Sequence, residues 1–150
     1  MALITPKNGD LTAGVAGQSE DIIGASPDPL VTGDAPAMYS EPMGVAADQV
    51  LPARTVVGLD GSDNIVAAEL DETTPANTIQ AIGFIMYAID TTGAAAGDVE
   101  IEVIRGGVYN PDLLVWDDTY DNAAKKRSAF RGAPSPTAII IRKPTTMTVA

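Results

Sequence analysis

The chain contains no cysteine and no histidine, and these two absences remove much of the common equipment of enzymes. Disulfide staples, Cys or His nucleophiles and bases, zinc sites of the Cys/His type and histidine-ligated haem are all excluded. Aromatic residues make up 5% of the sequence, so Trp116 and Phe130 are expected in the interior rather than as binding anchors. Positive charge is also scarce: 9 Lys and Arg stand against 20 Asp and Glu, a formal net charge of −11. Duplex binding requires cations that replace counterions along the phosphates, so nucleic acid is not an expected partner. No apolar run approaches the roughly 20 residues of a membrane span. The longest, Ala81 to Ile89, has the length of a strand or short helix. The opening MALITPKNGD lacks the charged start and apolar stretch of a secretory signal, which predicts a soluble protein made in the cytoplasm.

At 150 residues the length fits one domain, or a domain of about 100 residues with an appendage. The sequence divides at Leu51 to Gly61, LPARTVVGLDG. Residues 1–50 hold one basic residue, Lys7, against seven acidic ones, and are broken repeatedly by Pro and Gly from Pro6 to Gly44. Neither an ordinary helix nor a central strand tolerates that spacing, because Pro removes a backbone donor and Gly weakens any regular element. Two apolar islands, Ala2, Leu3, Ile4 and Asp21, Ile22, Ile23, are long enough for brief strand pairing with a partner. Composition alone is also that of a disordered tail. The expectation is an extended N-terminal arm over 1–50 and a β-rich domain over 51–150.

Within that domain, Thr55–Leu59 and Ile65–Ala68 read as a hairpin around the turn-forming DGSDN. Ile79 to Ile89 is the best core candidate, and its Gly83 suggests a bulge or the close approach of another backbone. Val99 to Arg105 alternates apolar and charged residues, placing Val99, Ile101 and Val103 on one face and Glu100 and Glu102 on the other. Asn110–Pro111–Asp112 can start a short helix. Asp117 to Gly132 is helix-permissive, with acids early and cations late in accord with a helix dipole. Thr137 to Arg142 is a final strand.

Few groups invite chemistry. Asp60 to Asn64 resembles a calcium loop but lacks the Gly at the sixth and the Glu at the twelfth position, where Ile65 and Asp71 stand; it reads as a hairpin turn. Asp117, Asp118 and Asp121 could serve a hard cation or an acid/base pair, yet they fit a helix start or solvated loop more simply. Gly106–Gly107 lacks the context of a phosphate loop. Lys125, Lys126 and Arg127 with Arg131 form the one concentration of positive charge, either a solvated helix face or a contact for an acidic partner surface. No catalytic residue, metal site or cofactor is expected.

The order of features in 51–143 resembles the head decoration proteins of tailed bacteriophages, the lambda gpD-like family. The resemblance rests on LPARTVVGLDG and on AIGFIMYAIDTTGAAAGDVEIEVIRGGVYNPDLLVW: a hydrophobic strand, a small-residue linker, a second strand, Arg-Gly-Gly and a short helix started by Asn. It implies a mainly β, β-tulip-like body with one or two short helices. It also implies a homotrimer at three-fold and quasi-three-fold positions on the outer surface of the expanded capsid, where it would bind the major capsid protein through an N-terminal arm and cement the shell against DNA pressure. The N-terminal region and the DDTYDNAAKKRSAFRGAPSP stretch are longer than the family pattern requires. Two other classes compete: an enzyme using Asp117, Asp118 and Asp121, which would gather them in a concave pocket, and an adhesion or fibre module, which would be elongated and tandem.

Overall fold

The structure, a computed structural model, describes residues 29–131 and 137–144. Among these, ten strands alternate with turns: β1 (Val31–Gly33), β2 (Ser40–Gly44), β3 (Val50–Leu51), β4 (Val56–Leu59), β5 (Ile65–Ala67), β6 (Ala81–Ile85), β7 (Ile89–Asp90), β8 (Glu100–Ile104), β9 (Gly106–Tyr109) and β10 (Ala138–Ile141). One short helix, α1 (Ala123–Ser128), and two 3-10 turns, Pro75–Asn77 and Pro111–Leu113, complete the described part. The fold is mainly β.

A five-stranded antiparallel sheet runs β2-β8-β6-β4-β5, a three-stranded sheet runs β1-β9-β10, and β3 pairs with β7. Both faces of the larger sheet carry buried residues, and the alternation of side chains sorts these into two apolar clusters. Val56, Phe84 and Ile104 join Tyr109, Leu114, Tyr120, Phe130, Ile139 and Ile141 on one side. Val57, Ile85 and Val103 join Val45, Leu51, Ile65 and Ile82 on the other. On the first side the Phe84 and Tyr109 rings meet edge to face at 4.7 Å, a favoured aromatic geometry.

The expected strands at 55–59, 65–68, 99–105 and 137–142 are present with ends trimmed by a residue or two. In β8, Glu100 and Glu102 are exposed while Ile101 and Val103 pack into the second cluster, as the alternation requires. The expected single run Ile79–Ile89 instead divides: it turns after Ile85 and resumes as β7 in a different sheet. Inside β6 the register with β4 slips by one residue, Val57 opposing Gly83 and Gly58 opposing Ala81. Ile82 is thus the extra residue of a bulge. A Cβ on Gly83 would stand 2.6 Å from Val103 Cγ1 and closer still to the Ile104 carbonyl oxygen, so the close backbone approach is real as well.

The boundary at Leu51 needs correction. β1, β2 and the first residue of β3 come from the stretch assigned to the arm, β2 pairs along its whole length with β8, and Val45 is fully buried in the second cluster. The folded body therefore includes residues 31–50. Pro42 is compatible with this because β2 is an edge strand and needs no inward donor there. Ala2, Leu3, Ile4, Asp21, Ile22 and Ile23 lie outside the described residues.

Candidate interaction surfaces

The three-stranded sheet is where the described chain begins and ends. β9 lies in its centre, antiparallel to β1 and parallel to β10, so β1 and β10 are its two edges. Past the end of β9 those edges are clasped. Thr32 Oγ1 donates to the Arg142 carbonyl at 3.0 Å, and the Arg142 guanidinium donates to the Thr32 carbonyl at 2.5 Å. The first described strand, β1, is thus tied to the residue that follows β10.

Helix α1 presents the cationic segment. Asn122 caps it, its side-chain oxygen accepting from Ala124 N (3.0 Å) and Lys125 N (2.9 Å), the role that favours Asn at a helix start. The helix covers six residues of the sixteen-residue stretch expected to favour one, because Asp117 and Asn122 use their side chains on local turns. Asp117 accepts from Thr119 N at 3.0 Å and from Thr119 Oγ1 at 2.7 Å, an Asx turn that competes with helix.

The four expected contact residues do not share one environment. Lys125 is paired within the molecule, 3.1 Å from Asp121 and 3.2 Å from Glu72, and it also donates to the Thr119 carbonyl. The hydrogen bonds to Asp121 and then Glu72 hold its ammonium pKa above the ordinary lysine value. Lys126 lies over the Trp116 ring, 5.8 Å from its centroid, a cation–π contact. Arg127 and Arg131 are exposed. Arg127 faces a cavity of about 380 Å³ lined also by Pro111, Ala123, Ile141, Arg142 and Lys143. Arg142 and Lys143 were not singled out from sequence. Their only signal there was a pair of cations directly after an apolar strand.

Asp117, Asp118 and Asp121 do not converge either. Asp117 is engaged with Thr119, Asp121 with Lys125 and Asn122, and Asp118 is exposed. Among the described residues no group of three or more Asp and Glu is placed to hold a metal ion. Asp121 instead shares an open groove with Glu69, Asp71, Glu72 and Lys125. Behind Asp117, the Tyr120 hydroxyl has its pKa raised, first by burial and then by the Asp117 charge. In the β4–β5 turn the Asp60 carboxylate accepts from Ser62 N (2.8 Å) and Asn64 N (2.9 Å), and Asp63 takes φ +63°. These bonds close the turn between the paired strands β4 and β5, in accord with the hairpin reading.

Trp116 and Phe130 both serve the interior. Phe130 is buried in the first cluster, and Trp116 packs against it with its ring 6.1 Å from Phe130 and 5.3 Å from Tyr120. The indole N–H donates to the Pro111 carbonyl at 2.8 Å.

Large apolar side chains are nonetheless left in the open. Val50 is 66% exposed and Tyr87 77%. Val50 lies in β3, and Tyr87 in the turn leading to β7, the strand that pairs with β3. Comparison with curated proteins gives no match. A family model described as Bacteriophage lambda head decoration protein D matches residues 24–135, which takes in β1 through α1 and thus both apolar clusters except for β10. The chain belongs to the family of the bacteriophage lambda head decoration protein D, structural proteins that decorate the phage capsid.

Proposed function

We propose that this protein binds the outer surface of the expanded phage head and cements it, acting as a homotrimer on the major capsid protein. The observation that carries the reading is the family match over residues 24–135. The exposed Val50 and Tyr87 support association between copies, because a body that leaves such side chains in water gains by burying them. The N-terminal segment, with Ala2, Leu3, Ile4, Asp21, Ile22 and Ile23, is the part proposed to lie extended along the capsid protein by adding strand pairing. Ordering it costs about 1–2 kcal/mol per residue, so pairing and burial on the partner must offset a large term. The protein is made in the host cytoplasm before it joins the virion. Many copies, each bridging neighbouring subunits, raise the cost of opening the shell because several contacts must break together.

The test compares capsids with and without the protein by electron microscopy and by the temperature at which DNA-filled heads rupture. Added protein is expected to appear as three-fold protrusions and to raise that temperature. Deletion of residues 1–25 is expected to leave the body folded and to abolish most binding. Heads that rupture identically with and without the protein refute the cement function, and truncated protein at full occupancy refutes the arm.

A further inference from the structure

Arg127 on α1 and Arg142 and Lys143 just after β10 stand around one cavity, lined also by Pro111 and Ile141. Lys143 has a partner, Asp112 at 2.7 Å. Among the described residues the Arg142 guanidinium donates to the Thr32 carbonyl, a neutral group, and the Arg127 guanidinium has no ion pair or hydrogen bond. Elsewhere Arg105 and Lys125 each have a carboxylate within 4 Å. In a chain whose acids outnumber its bases by 20 to 9, two guanidiniums line one concave surface with no carboxylate within 4 Å of either among the described residues.

We propose that this cavity is a docking surface for a carboxylate-bearing segment of the capsid subunit beneath it, an inference that rests on the capsid-binding reading above. The chemistry of the site selects that class of partner. Guanidinium groups present planar forks matched to carboxylates, and the Pro111 and Ile141 lining suits the aliphatic stem behind an Asp or Glu head. A polyanion such as duplex DNA is disfavoured by the overall charge of −11, whereas one or two carboxylates feel the local cations within a Debye length of about 8 Å. Position points the same way. Arg142 is bonded to Thr32 in β1, so the cavity adjoins the root of the N-terminal segment and whatever surface that segment follows.

The experiment measures occupancy of expanded capsids by the full chain over a series of salt concentrations. Wild type is compared with Arg127→Glu/Lys143→Glu and with the milder Arg127→Gln. Both replaced side chains are exposed and Arg127 is unpartnered, so the folded state is expected to persist, and a thermal melt of the free protein verifies it. The proposal expects roughly tenfold weaker binding for Arg127→Gln, a larger loss for the double variant, and a flatter salt dependence in both. Wild-type binding and salt response in both variants overturn the docking surface while leaving the capsid reading intact; failure of wild type to bind capsids overturns both. Three other results also overturn it: a change in sedimentation mass, which assigns the cavity to a second copy; faster trypsin cleavage at Lys7 of the free variant, which assigns it to this chain's own N-terminal segment; and retention of wild type but not the variants by duplex DNA.

Discussion

Gly83 allows the packing of the larger sheet to be tested with a single methyl group. In Gly83→Ala the new Cβ stands 2.6 Å from Val103 Cγ1 and nearer still to the Ile104 carbonyl oxygen. Val103 is fully buried, and the carbonyl belongs to the β8 backbone, which pairs with β6 at Phe84–Ile104 and Ile85–Val103. Neither obstacle can swing aside. Carbon atoms pack at about 3.5–4 Å, so β8 must retreat by roughly 1 Å where it is hydrogen-bonded. Overpacking of this kind costs about 1–3 kcal/mol, and each ladder hydrogen bond weakened adds up to about 1 kcal/mol. Gly61→Ala is the matched control, since nothing lies within 4 Å of its Cβ position. Both substitutions reduce unfolded-state entropy, worth about 0.4–1 kcal/mol in stability, so that term cancels between them. The two variants should therefore differ by about 3 kcal/mol, which is about 10–20 °C in Tm for a domain of this size. Urea unfolding followed by the fluorescence of the single tryptophan, Trp116, reads the difference directly. If Gly83→Ala lies within 0.5 kcal/mol of the control, by the scale on which benign substitutions fall, the close approach of β6 and β8 is not part of the folded protein.

Two further outcomes are expected. Burial raises the pKa of Tyr109 and Tyr120, and hydrogen bonds to Asp121 and Glu72 raise that of Lys125. In each case the unfolded chain releases its proton first as pH rises, so their contribution is complete below the ordinary values near 10 and is lost above them. Denaturation midpoints measured from pH 8 to 11 should be flat and then fall; Tyr109→Phe, which also removes the 2.7 Å bond to the Gly106 carbonyl, should cost about 1 kcal/mol at pH 8 and soften that fall, and an unchanged slope would contradict it. Replacing Asp117, Asp118 and Asp121 together by Asn should lower stability by no more than about 1 kcal/mol through the exposed Asp121–Lys125 pair. It should leave the rupture temperature of decorated heads unchanged, and loss of protection would restore carboxylate chemistry as a candidate.

Strands were legible wherever local pattern and final environment agree. Glu100 and Glu102 alternate with Ile101 and Val103, and they do so because one face of β8 near its start meets water. The division of Ile79–Ile89 was not legible, since AIGFIMYAI is apolar throughout and nothing in it marks the turn after Ile85. The misplaced boundary at Leu51 has a different cause. Pro and Gly density correctly excluded a central strand from residues 40–44, but an edge strand escapes that exclusion, and β2 is at the edge. Composition reports what a segment cannot do alone; it is silent on pairing supplied by a strand some sixty residues away, as Pro42 with Glu102 shows.

The cationic surface shows the same limit at the level of side chains. Three consecutive residues on a helix point about 100° apart, so the run Lys125–Lys126–Arg127, which in sequence is one patch, must divide among three environments. One faces the acids of Glu72 and Asp121, one lies over Trp116, and one turns to the cavity by β10. Adjacency in sequence therefore says little about surroundings, while adjacency in space joins Arg127 to the residues after β10. The second grouping depends on α1 packing against β10 and on the clasp between Arg142 and Thr32, two long-range contacts with no local signature. A surface assembled in this way answers to the integrity of the three-stranded sheet. Loosening β1 from β10 should weaken capsid binding even with every cation in place, and Thr32→Val, which removes the 3.0 Å bond to the Arg142 carbonyl while keeping the side chain's shape, is the substitution to compare with Arg127→Gln. A loss of occupancy in Thr32→Val, with the free protein still folded by thermal melt, would show that the position of the cations and not only their charge holds the partner; full occupancy would show that the clasp is dispensable.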